Sequence, residues 1–480
     1  MNDGPSGSRA IRERLDHPVI DADGHFIEFG PALASYLADE GVAEIGRLFS
    51  EVGCGVGTPG IDAMPADERA AVRAVRAPWW ASPAENTLDL ATALLPELLY
   101  ERLDDFGIDF AVLYGSGALL FPHSRDERLR RGACRAINRY MAEQFGPLAD
   151  RMTPAAVIPL HTPEEGIEAL EHAVQELGLK AAMIPSFVER PVPAGERAPY
   201  NVWFDTLGLD SAYDYDPFWR RCVELGVSVA AHSASMGIGF RTSPTNFMCN
   251  QIGHFAAAGE AMAKSLLFGG VTSRVPGLRI AFLEGGVHWG AALLGDFLSR
   301  FGKRNRDAVG AYDPARIDDR LLEQMFERYG ERLSRKLGGC SAPVRAQELS
   351  PGPFDDFARI DATTPEQAAD RFLTHFHFGC EADDPMAATA FDCARTPLGR
   401  PLRAMFGSDI GHWDVPDMTG VLEEAFEHVE RGWLDQTAFR DFVFGNVARF
   451  YTETNPDFFV GTAVEKAVAA EIASDPRPTS

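Results

Sequence analysis

The sequence lacks several features that define common functional classes. It has 45 basic residues against 70 acidic ones, and this shortage of positive charge argues against nucleic acid or an anionic membrane as partner. No apolar run approaches the roughly 20 residues of a membrane-spanning helix. Residues 1–18 contain no apolar signal-peptide core. We therefore expect a soluble, cytoplasmic protein that binds neither nucleic acid nor membrane.

Cysteine usage points the same way. The seven cysteines are scattered along the chain without a CxxC pair, and their number is odd. Such a pattern is unlike a disulfide framework or a zinc knuckle, and it favours reduced thiols in the cytoplasm. No GxGxxG motif follows the first apolar run either, which weakens the case for a dinucleotide-binding fold.

What the chain does contain is a series of short apolar runs, mostly separated by helical patterns. Eight runs of this kind predict parallel βαβ units, which favours an α/β fold of the closed (β/α)8 TIM-like barrel type over an open sheet. The first predicted strand begins at residue 19 and breaks at Gly24, and the others are residues 108–114, 155–160, 181–185, 227–231, 278–283, 375–379 and 402–407. We expect one domain over residues 1–480, with long insertions at about 30–98 and 303–370 over the barrel mouth and a frayed tail at 473–480.

The first strand ends in a cluster of polar residues. Asp23 and His25 follow Val19 and Ile20, and Glu28 comes three residues later. Alternate residues of a strand point to the same side, so Asp23 and His25 can converge on one point. The alternative is an ordinary turn after a buried strand.

Other predicted strands end in residues of the same type. His232 follows the fifth strand, Glu284 the sixth and Asp409 the eighth. Functional side chains of a (β/α)8 barrel lie at the carboxyl ends of its strands, so these residues should share one rim. Carboxylates and imidazoles without a thiolate suit a divalent metal that keeps positions open for water or substrate.

These motifs make the chain resemble the amidohydrolase superfamily, in the branch called amidohydrolase family 2 or the aminocarboxymuconate-semialdehyde-decarboxylase-like group. The stretches that carry the resemblance are residues 20–25, 268–271, 275–278, 282–289, 407–414 and 446–451. The resemblance implies a divalent metal held by Asp23, His25, His232 and Asp409. Asp23 departs from the family pattern, because a carboxylate replaces the first histidine of the usual pair. Glu284 departs too, at a position where many relatives have a catalytic histidine.

Four further assignments go with this centre. Glu284 is a catalytic candidate, or a structural carboxylate at the Gly285-Gly286 turn. His254 is a second catalytic candidate, which would supply the imidazole that many relatives have at the position of Glu284. The alternative is a histidine bonded within its helix. Glu28 is expected to bond a ligand histidine, and His412 to orient Asp409, line the pocket or pack. Glu28, Glu284, His254 and His412 are also candidates for a second metal ion.

The leading hypothesis is a metal-dependent hydrolase in which a metal-activated water attacks a small organic substrate. Asp409 would take the proton from that water, and His254 or His232 would hold the oxyanion. Zinc is the first choice of ion, with iron or manganese and a two-ion centre as alternatives. A non-oxidative decarboxylase, an iron-dependent oxygenase and a barrel that binds without turnover remain open. Trp79, Trp80 and Phe354 favour a hydrophobic substrate, and we expect a homodimer.

Overall fold

The central sheet of the protein consists of eight parallel strands, and an antiparallel hairpin follows the fourth of them. The computed structural model describes residues 6–46, 64–76, 85–192, 201–233, 235–240, 242–313, 316–334 and 355–474. The strands are β1 Ile20–Phe26, β2 Phe110–Gly115, β3 Met152–Val157, β4 Ala181–Ile184, β5 Val188–Pro191, β6 Val202–Asp205, β7 Val229–Ala231, β8 Ile280–Phe282, β9 Phe376–Glu381 and β10 Ala404–Gly407. All eight predicted strands are therefore present.

Helices follow most of the strands, as the predicted βαβ units require. In chain order they are α1 Gly7–Arg12, α2 Gly30–Asp39, α3 Ala66–Val72, α4 Thr87–Leu94, α5 Pro96–Phe106, α6 Glu127–Phe145, α7 Pro163–Glu171, α8 Asp216–Glu224, α9 Phe247–Gln251, α10 His254–Phe268, α11 Val271–Arg274, α12 His288–Arg304, α13 Asp319–Tyr329, α14 Glu331–Ser334, α15 Pro365–Leu373, α16 Val421–Glu430, α17 Gln436–Arg440, α18 Asn446–Thr452 and α19 Glu465–Ser474. Local signals set several of these bounds. Thr162 Oγ1 accepts the Glu165 N–H at 3.2 Å and so caps α7, while Gly107 ends α5 at a φ of 72°.

The strands run in the order β1-β2-β3-β4-β7-β8-β9-β10, and the two ends of this sheet meet. The Asp409 N–H donates to the Asp23 carbonyl at 2.9 Å, and the His25 N–H donates to the Ile410 carbonyl at 2.7 Å. These bonds join the ends of β1 and β10. The predicted (β/α)8 barrel is confirmed, and its mouth lies at the carboxyl ends of the strands.

One continuous apolar core holds the elements together. The eight strands of the central sheet are buried along almost their whole length, and Phe110, Phe282, Phe376 and Phe406 are among their largest fully buried side chains. Strands covered on both faces require near-continuous apolar runs, which is the pattern that made them visible in the sequence.

The first predicted insertion reaches the mouth. The Arg76 N–H, just beyond α3, donates to the Ser243 carbonyl at 2.9 Å, and Asn250 Nδ2 donates to the Arg76 carbonyl at 2.9 Å. Ser243 and Asn250 belong to the segment after β7. The start of the same insertion lies elsewhere, since α2 packs beside α6 and the rings of Tyr36 and Tyr140 meet edge to face at 5.6 Å.

The second predicted insertion has its described carboxyl-terminal part on the outside of the barrel. The Phe357 ring lies 5.3 to 5.7 Å from the rings of Phe268, Phe297 and Phe301, on the outer helices α10 and α12. This part therefore packs around the barrel rather than over its mouth. Trp79, Trp80 and Phe354, which favoured a hydrophobic substrate, lie outside the described residues.

Three features differ in detail from the sequence-based expectation. The hairpin β5–β6 was not predicted, and the helix expected over residues 247–268 is divided at Gly253, which has a φ of 75°. Helix α19 extends to Ser474, two residues into the tail predicted from 473. The described cysteines (Cys134, Cys222, Cys249, Cys380 and Cys393) are free thiols, as predicted. Among the described helices, none is both long and apolar enough to cross a membrane.

Candidate metal centre

Four strand ends bring six acidic or histidine side chains to one point in the mouth. They are Asp23 and His25 of β1, His232 after β7, Glu284 after β8, and Asp409 and His412 after β10. The side chains are nearly inaccessible, with exposed fractions between 0% and 6% except for His412 at 16%. The four predicted metal ligands are thus close together, and Glu284 and His412 lie among them.

His25 is at the centre of the cluster. Its Nε2 lies 3.0 Å from Glu284 Oε1 and 3.4 Å from one oxygen each of Asp23 and Asp409. The Nε2 atom of His232 is 3.4 Å away. The ring of His412 stacks on that of His25, with the centroids 3.7 Å apart.

The other members complete a compact set of donors. His232 Nε2 lies 3.2 Å from Glu284 Oε1 and 3.5 Å from Asp23 Oδ1. His412 Nδ1 lies 2.7 Å from Asp409 Oδ1 and 3.6 Å from Glu284 Oε1. Two overlapping groups of four donors form, each with all its atoms within 4.8 Å of one another: the first is Asp23, His25, His232 and Glu284, the second His25, Glu284, Asp409 and His412.

The geometry fits a bound cation. Ligands at about 2.0–2.2 Å from an ion lie roughly 3 to 3.5 Å from each other, which is the spacing found here. Asp23 Oδ1, Glu284 Oε1 and Asp409 Oδ1 are buried and, within the described residues, accept no well-oriented hydrogen bond despite their close neighbours. The donors therefore point towards a shared centre rather than at one another.

Charge leads to the same inference. Burial raises the pKa of Asp409 well above its ordinary range, and the carboxylates of Glu284 and Asp414 raise it further. Burial by itself would lower the pKa of His232, but Glu284 and Asp23 raise it to about 10. The cluster thus attracts positive charge, and a divalent ion would satisfy three carboxylates that otherwise repel one another.

Asp21 holds the two strands that supply most of these donors. It is completely buried, and its Oδ1 accepts the N–H groups of Ser408 at 2.9 Å and Asp23 at 3.1 Å. The Ser408 hydroxyl donates to its Oδ2 at 2.5 Å. Because Ser408 precedes Asp409, this carboxylate ties the ligand-bearing ends of β1 and β10 together. The sequence analysis assigned no role to Asp21 or Ser408.

Backbone strain also marks the ligand positions. Glu284 and Asp409 have φ values of 53° and 52°, in the left-handed region that non-glycine residues rarely adopt. At Gly411 φ is 91°, and a Cβ there would lie 2.5 Å from the His25 carbonyl oxygen. The chain after β10 thus requires glycine at 411 to fold back over β1.

Two predicted residues lie beside the cluster rather than within it. Glu28 does not bond a ligand histidine: its carboxylate accepts the N–H groups of Gly117 and Ala118 at 2.9 and 2.8 Å, because it points towards the loop after β2. The buried ring of His254 packs at 4.1 Å against Phe255 and belongs to neither donor group. The Phe255 ring is 5.2 Å from that of His232, so His254 is one side chain removed from the centre.

Comparison with known proteins is consistent with this architecture. The family model described as Amidohydrolase matches residues 20–308, which is more than half of the chain. The chain belongs to the amidohydrolase family. It is an enzyme of the amidohydrolase superfamily, in the family 2 branch that the sequence motifs suggested. The matched range contains Asp23, His25, His232 and Glu284 and ends before Asp409.

A curated relative is the 2-amino-3-carboxymuconate-6-semialdehyde decarboxylase of Dictyostelium discoideum. It is 24% identical over 284 residues, which are 56% of this chain and 73% of the relative. An amidohydrolase from Mycobacterium avium subspecies paratuberculosis aligns with a TM-score of 0.53 at 16% identity, over 91% of this chain and all of that one.

A second solved structure is a dihydroxybenzoic acid decarboxylase from a Polaromonas species, with bound manganese and the inhibitor 2-nitroresorcinol. It aligns with a TM-score of 0.50 at 15% identity, over 92% of this chain and 99% of its own. At identities of 15% and 16%, the likeness to these two solved structures establishes only the fold that each of them shares with this protein.

Proposed function

We propose that the protein is a metal-dependent, non-oxidative decarboxylase of a small carboxylic acid. The observation that carries the proposal is the convergence of three carboxylate oxygens and three imidazole nitrogens at one buried point of the barrel mouth. A curated relative and the manganese-containing neighbour are both decarboxylases by name, which favours this reaction over the hydrolysis first expected.

The proposed ligands are Asp23, His25, His232 and Asp409, with Glu284 as a fifth. An oxygen-rich set of this kind suits manganese or iron as well as zinc. A divalent ion there would supply Lewis-acid polarisation of the substrate's carboxylate and a neighbouring oxygen. We propose one ion per chain, because both donor groups need His25 Nε2 and an imidazole nitrogen has a single lone pair.

Asp409 and His412 are proposed to handle the proton. His412 Nδ1 lies 2.7 Å from Asp409 Oδ1, and His412 is the most exposed member of the cluster. In decarboxylation the bond to the carboxylate carbon breaks, carbon dioxide leaves, and the electron pair left on the substrate carbon takes up one proton. His412 is in position to deliver that proton from the mouth, while its stacking on His25 fixes the ring.

Hydrolysis at the same centre is the second candidate. The Asp409–His412 contact that favours proton delivery would equally serve to remove a proton from a water molecule. His254 would then act through Phe255 and His232 rather than touch the oxyanion, so its catalytic role stays a prediction.

The homodimer stays a prediction as well, and light scattering of the purified protein would test it.

The test uses protein reconstituted separately with manganese, zinc and iron. We would incubate it, both without oxygen and in air, with hydroxybenzoic acids and unsaturated aliphatic acids, and in parallel with their esters and amides, and measure carbon dioxide, the hydrolysed products and oxygen uptake. Carbon dioxide release in the absence of oxygen is the expected result. Hydrolysis without carbon dioxide would replace the proposal with the second candidate, and turnover that consumes oxygen would favour the oxygenase.

A histidine pair tests the proton role. His412→Phe keeps an aromatic ring over His25 but removes the exchangeable proton, so we expect turnover to fall at least 100-fold with the metal content unchanged. His428→Phe is the matched control, because His428 is a buried histidine on α16 whose two ring nitrogens accept or donate no hydrogen bond within the described residues. Equal effects of the two substitutions would contradict the assignment.

A further inference from the structure

His123 lies in the connection after the carboxyl end of β2, outside the two donor groups of the metal centre. It ends a short 3-10 turn, Ala118–His123, that follows β2. Glu28 holds the start of this turn, because its two carboxylate oxygens accept the N–H groups of Gly117 and Ala118. The carboxylate that does not bond a metal ligand thus has a structural task of its own.

A hydrogen bond between this histidine and Ser233 crosses the mouth. His123 Nε2 lies 3.0 Å from Ser233 Oγ, and Ser233 directly follows the proposed ligand His232. The strands that lead to these two residues, β2 and β7, are separated in the barrel by β3 and β4. The Ser186 N–H, just after β4, donates to the same Ser233 oxygen at 3.1 Å. Three strand ends are therefore joined at one hydroxyl group beside the metal centre.

The directions of these bonds fix the tautomer of His123. Ser233 is 2% exposed, so its hydroxyl proton needs an acceptor within the protein. Its oxygen already accepts from Ser186, and His123 Nε2 is its other hydrogen-bond partner among the described residues. The Ser233 hydroxyl therefore donates to Nε2, which must be the unprotonated nitrogen. The ring proton of His123 is then on Nδ1.

Nδ1 is free to bond a ligand. Within the described part of the chain it makes no hydrogen bond, and it is not among the buried polar atoms that lack a partner. The His123 side chain is only partly buried, and the Phe187 ring covers it from one side at a centroid distance of 5.2 Å. Burial lowers the pKa of His123 to about 4, so the ring is neutral at physiological pH.

We propose that His123 determines substrate specificity by donating its Nδ1–H to an uncharged oxygen of the substrate, such as a phenolic hydroxyl or a carbonyl. The inference rests on the proposed function in one respect: the acid group of the substrate lies at the metal centre. A single neutral donor is enough for an uncharged acceptor, whereas a second carboxylate on the substrate would lose more hydration than one such hydrogen bond replaces. The substrate class is thus a small monocarboxylic acid that also carries an uncharged oxygen acceptor, either next to its acid group or at the opposite end of the molecule.

Two substitutions separate the two nitrogens of His123. The amide of glutamine superimposes on the Nε2 side of histidine, so His123→Gln can keep the contact with Ser233 but has no donor at Nδ1. The amide of asparagine superimposes on the Nδ1 side, so His123→Asn keeps a donor there and loses the contact with Ser233. Both variants replace the ring by a smaller amide, and they differ in which ring nitrogen that amide imitates. If His123 had only a structural role, the variant that keeps the contact with Ser233 would be the less affected one, which is the opposite of the predicted difference.

The measurement is binding to the manganese-loaded protein by calorimetry, with benzoate against 2-, 3- and 4-hydroxybenzoate and crotonate against 4-oxopent-2-enoate. In the unsubstituted protein we expect at least one oxygen-bearing acid to bind about tenfold more tightly than its partner without the oxygen. His123→Gln should abolish this preference and leave binding of the partner unchanged. His123→Asn should retain a preference of several-fold.

Each outcome bears on the inference. Loss of the preference in both variants, its retention in His123→Gln, or the absence of any preference in the unsubstituted protein would overturn it. Binding does not require turnover, so the expected pattern without carbon dioxide release would refute the proposed reaction and leave the role of His123 standing. Metal content, measured for all three proteins, should be equal.

Discussion

The carboxylate of Asp21 offers a quantitative test of how the metal centre is built. It accepts three hydrogen bonds, from the Ser408 N–H, the Ser408 hydroxyl and the Asp23 N–H, at 2.9, 2.5 and 3.1 Å. It touches none of the histidine donors in the centre. If its task is to join β1 to β10, removing the side chain should weaken both the fold and metal binding, whereas an isosteric neutral side chain should spare both.

The magnitudes follow from opposing contributions. Hydrogen bonds to a buried charged group contribute about 1.5–3 kcal/mol each. Burial raises the pKa of Asp21 from 3.8 to about 6 even though the hydrogen bonds from Ser408 and Asp23 lower it, so a net cost of about 3 kcal/mol remains for the buried charge at neutral pH. Asp21→Ala removes the acceptor and leaves three buried donors unsatisfied, so we expect a loss of roughly 3–5 kcal/mol in the free energy of unfolding.

Asp21→Asn should behave differently. The amide oxygen can still accept the N–H groups of Ser408 and Asp23, and the amide nitrogen can donate to the Ser408 hydroxyl oxygen, so that only the Ser408 hydroxyl proton loses its acceptor. Loss of the charged acceptor is then offset by relief of the buried charge, and the free energy of unfolding should change by less than about 1.5 kcal/mol.

Two assays check this reasoning. Urea unfolding of metal-free protein gives the stabilities, and competition with a chromophoric chelator gives the manganese affinity. We expect Asp21→Ala to bind manganese about 10- to 100-fold more weakly, as for other residues that orient metal ligands, and Asp21→Asn less than tenfold more weakly. Equal losses of stability and manganese affinity in the two variants would show that the charge of Asp21 matters rather than its hydrogen bonds between β1 and β10. Wild-type manganese affinity in Asp21→Ala would refute the positioning role.

Two further predictions concern other sites. Glu284→Gln removes the carboxylate that lies 3.0 and 3.2 Å from His25 and His232, so manganese affinity should fall by more than 100-fold in chelator competition, and wild-type affinity would exclude Glu284 as a ligand. His375 is neutral in the folded protein because burial and the nearby Arg279 charge lower its pKa to about 3. On acidification the unfolded chain therefore binds a proton at this histidine before the folded protein does. The free energy of unfolding should accordingly decrease as the pH falls below 6.5. His375→Asn keeps a donor for the Arg371 carbonyl and should recover about 2.3 kcal/mol of the loss between pH 6.5 and 4.5, measured by urea unfolding at both pH values; an unchanged pH dependence would contradict the buried neutral state.

The barrel was predictable because its strands are short, apolar and buried on both faces. The same logic located Asp23, His25, His232, Glu284 and Asp409, since a polar residue directly after such a strand must lie at the mouth. Hairpin β5–β6 escaped prediction because its strands, VERP and VWFD, are partly exposed and carry charges and a proline. The division before α10 had a visible signal in Gly253, which interrupts an otherwise helical pattern.

Other contacts had no local signal. The bonds from Ser408 to Asp21 and from Ser233 to His123 join residues 387 and 110 positions apart. Composition and spacing carry no information on such pairs, because they depend on how the closed barrel aligns strand ends that are remote in the chain. Glu28 illustrates the limit: its place near the mouth was predictable, but whether it met a histidine or a loop backbone depended on the path after β2.

The mouth thus has two chemically different halves. The ends of β1, β7, β8 and β10 supply charged donors that converge on one point, whereas the ends of β2 and β4 meet β7 through the neutral His123–Ser233–Ser186 network. Tyr114 of β2 packs against the charged half, with its ring 5.9 and 5.4 Å from those of His25 and His232. A substrate held by its acid group at the charged half must place its remaining atoms against the neutral half. Substitutions at His123 should therefore change which acid binds without changing which metal does.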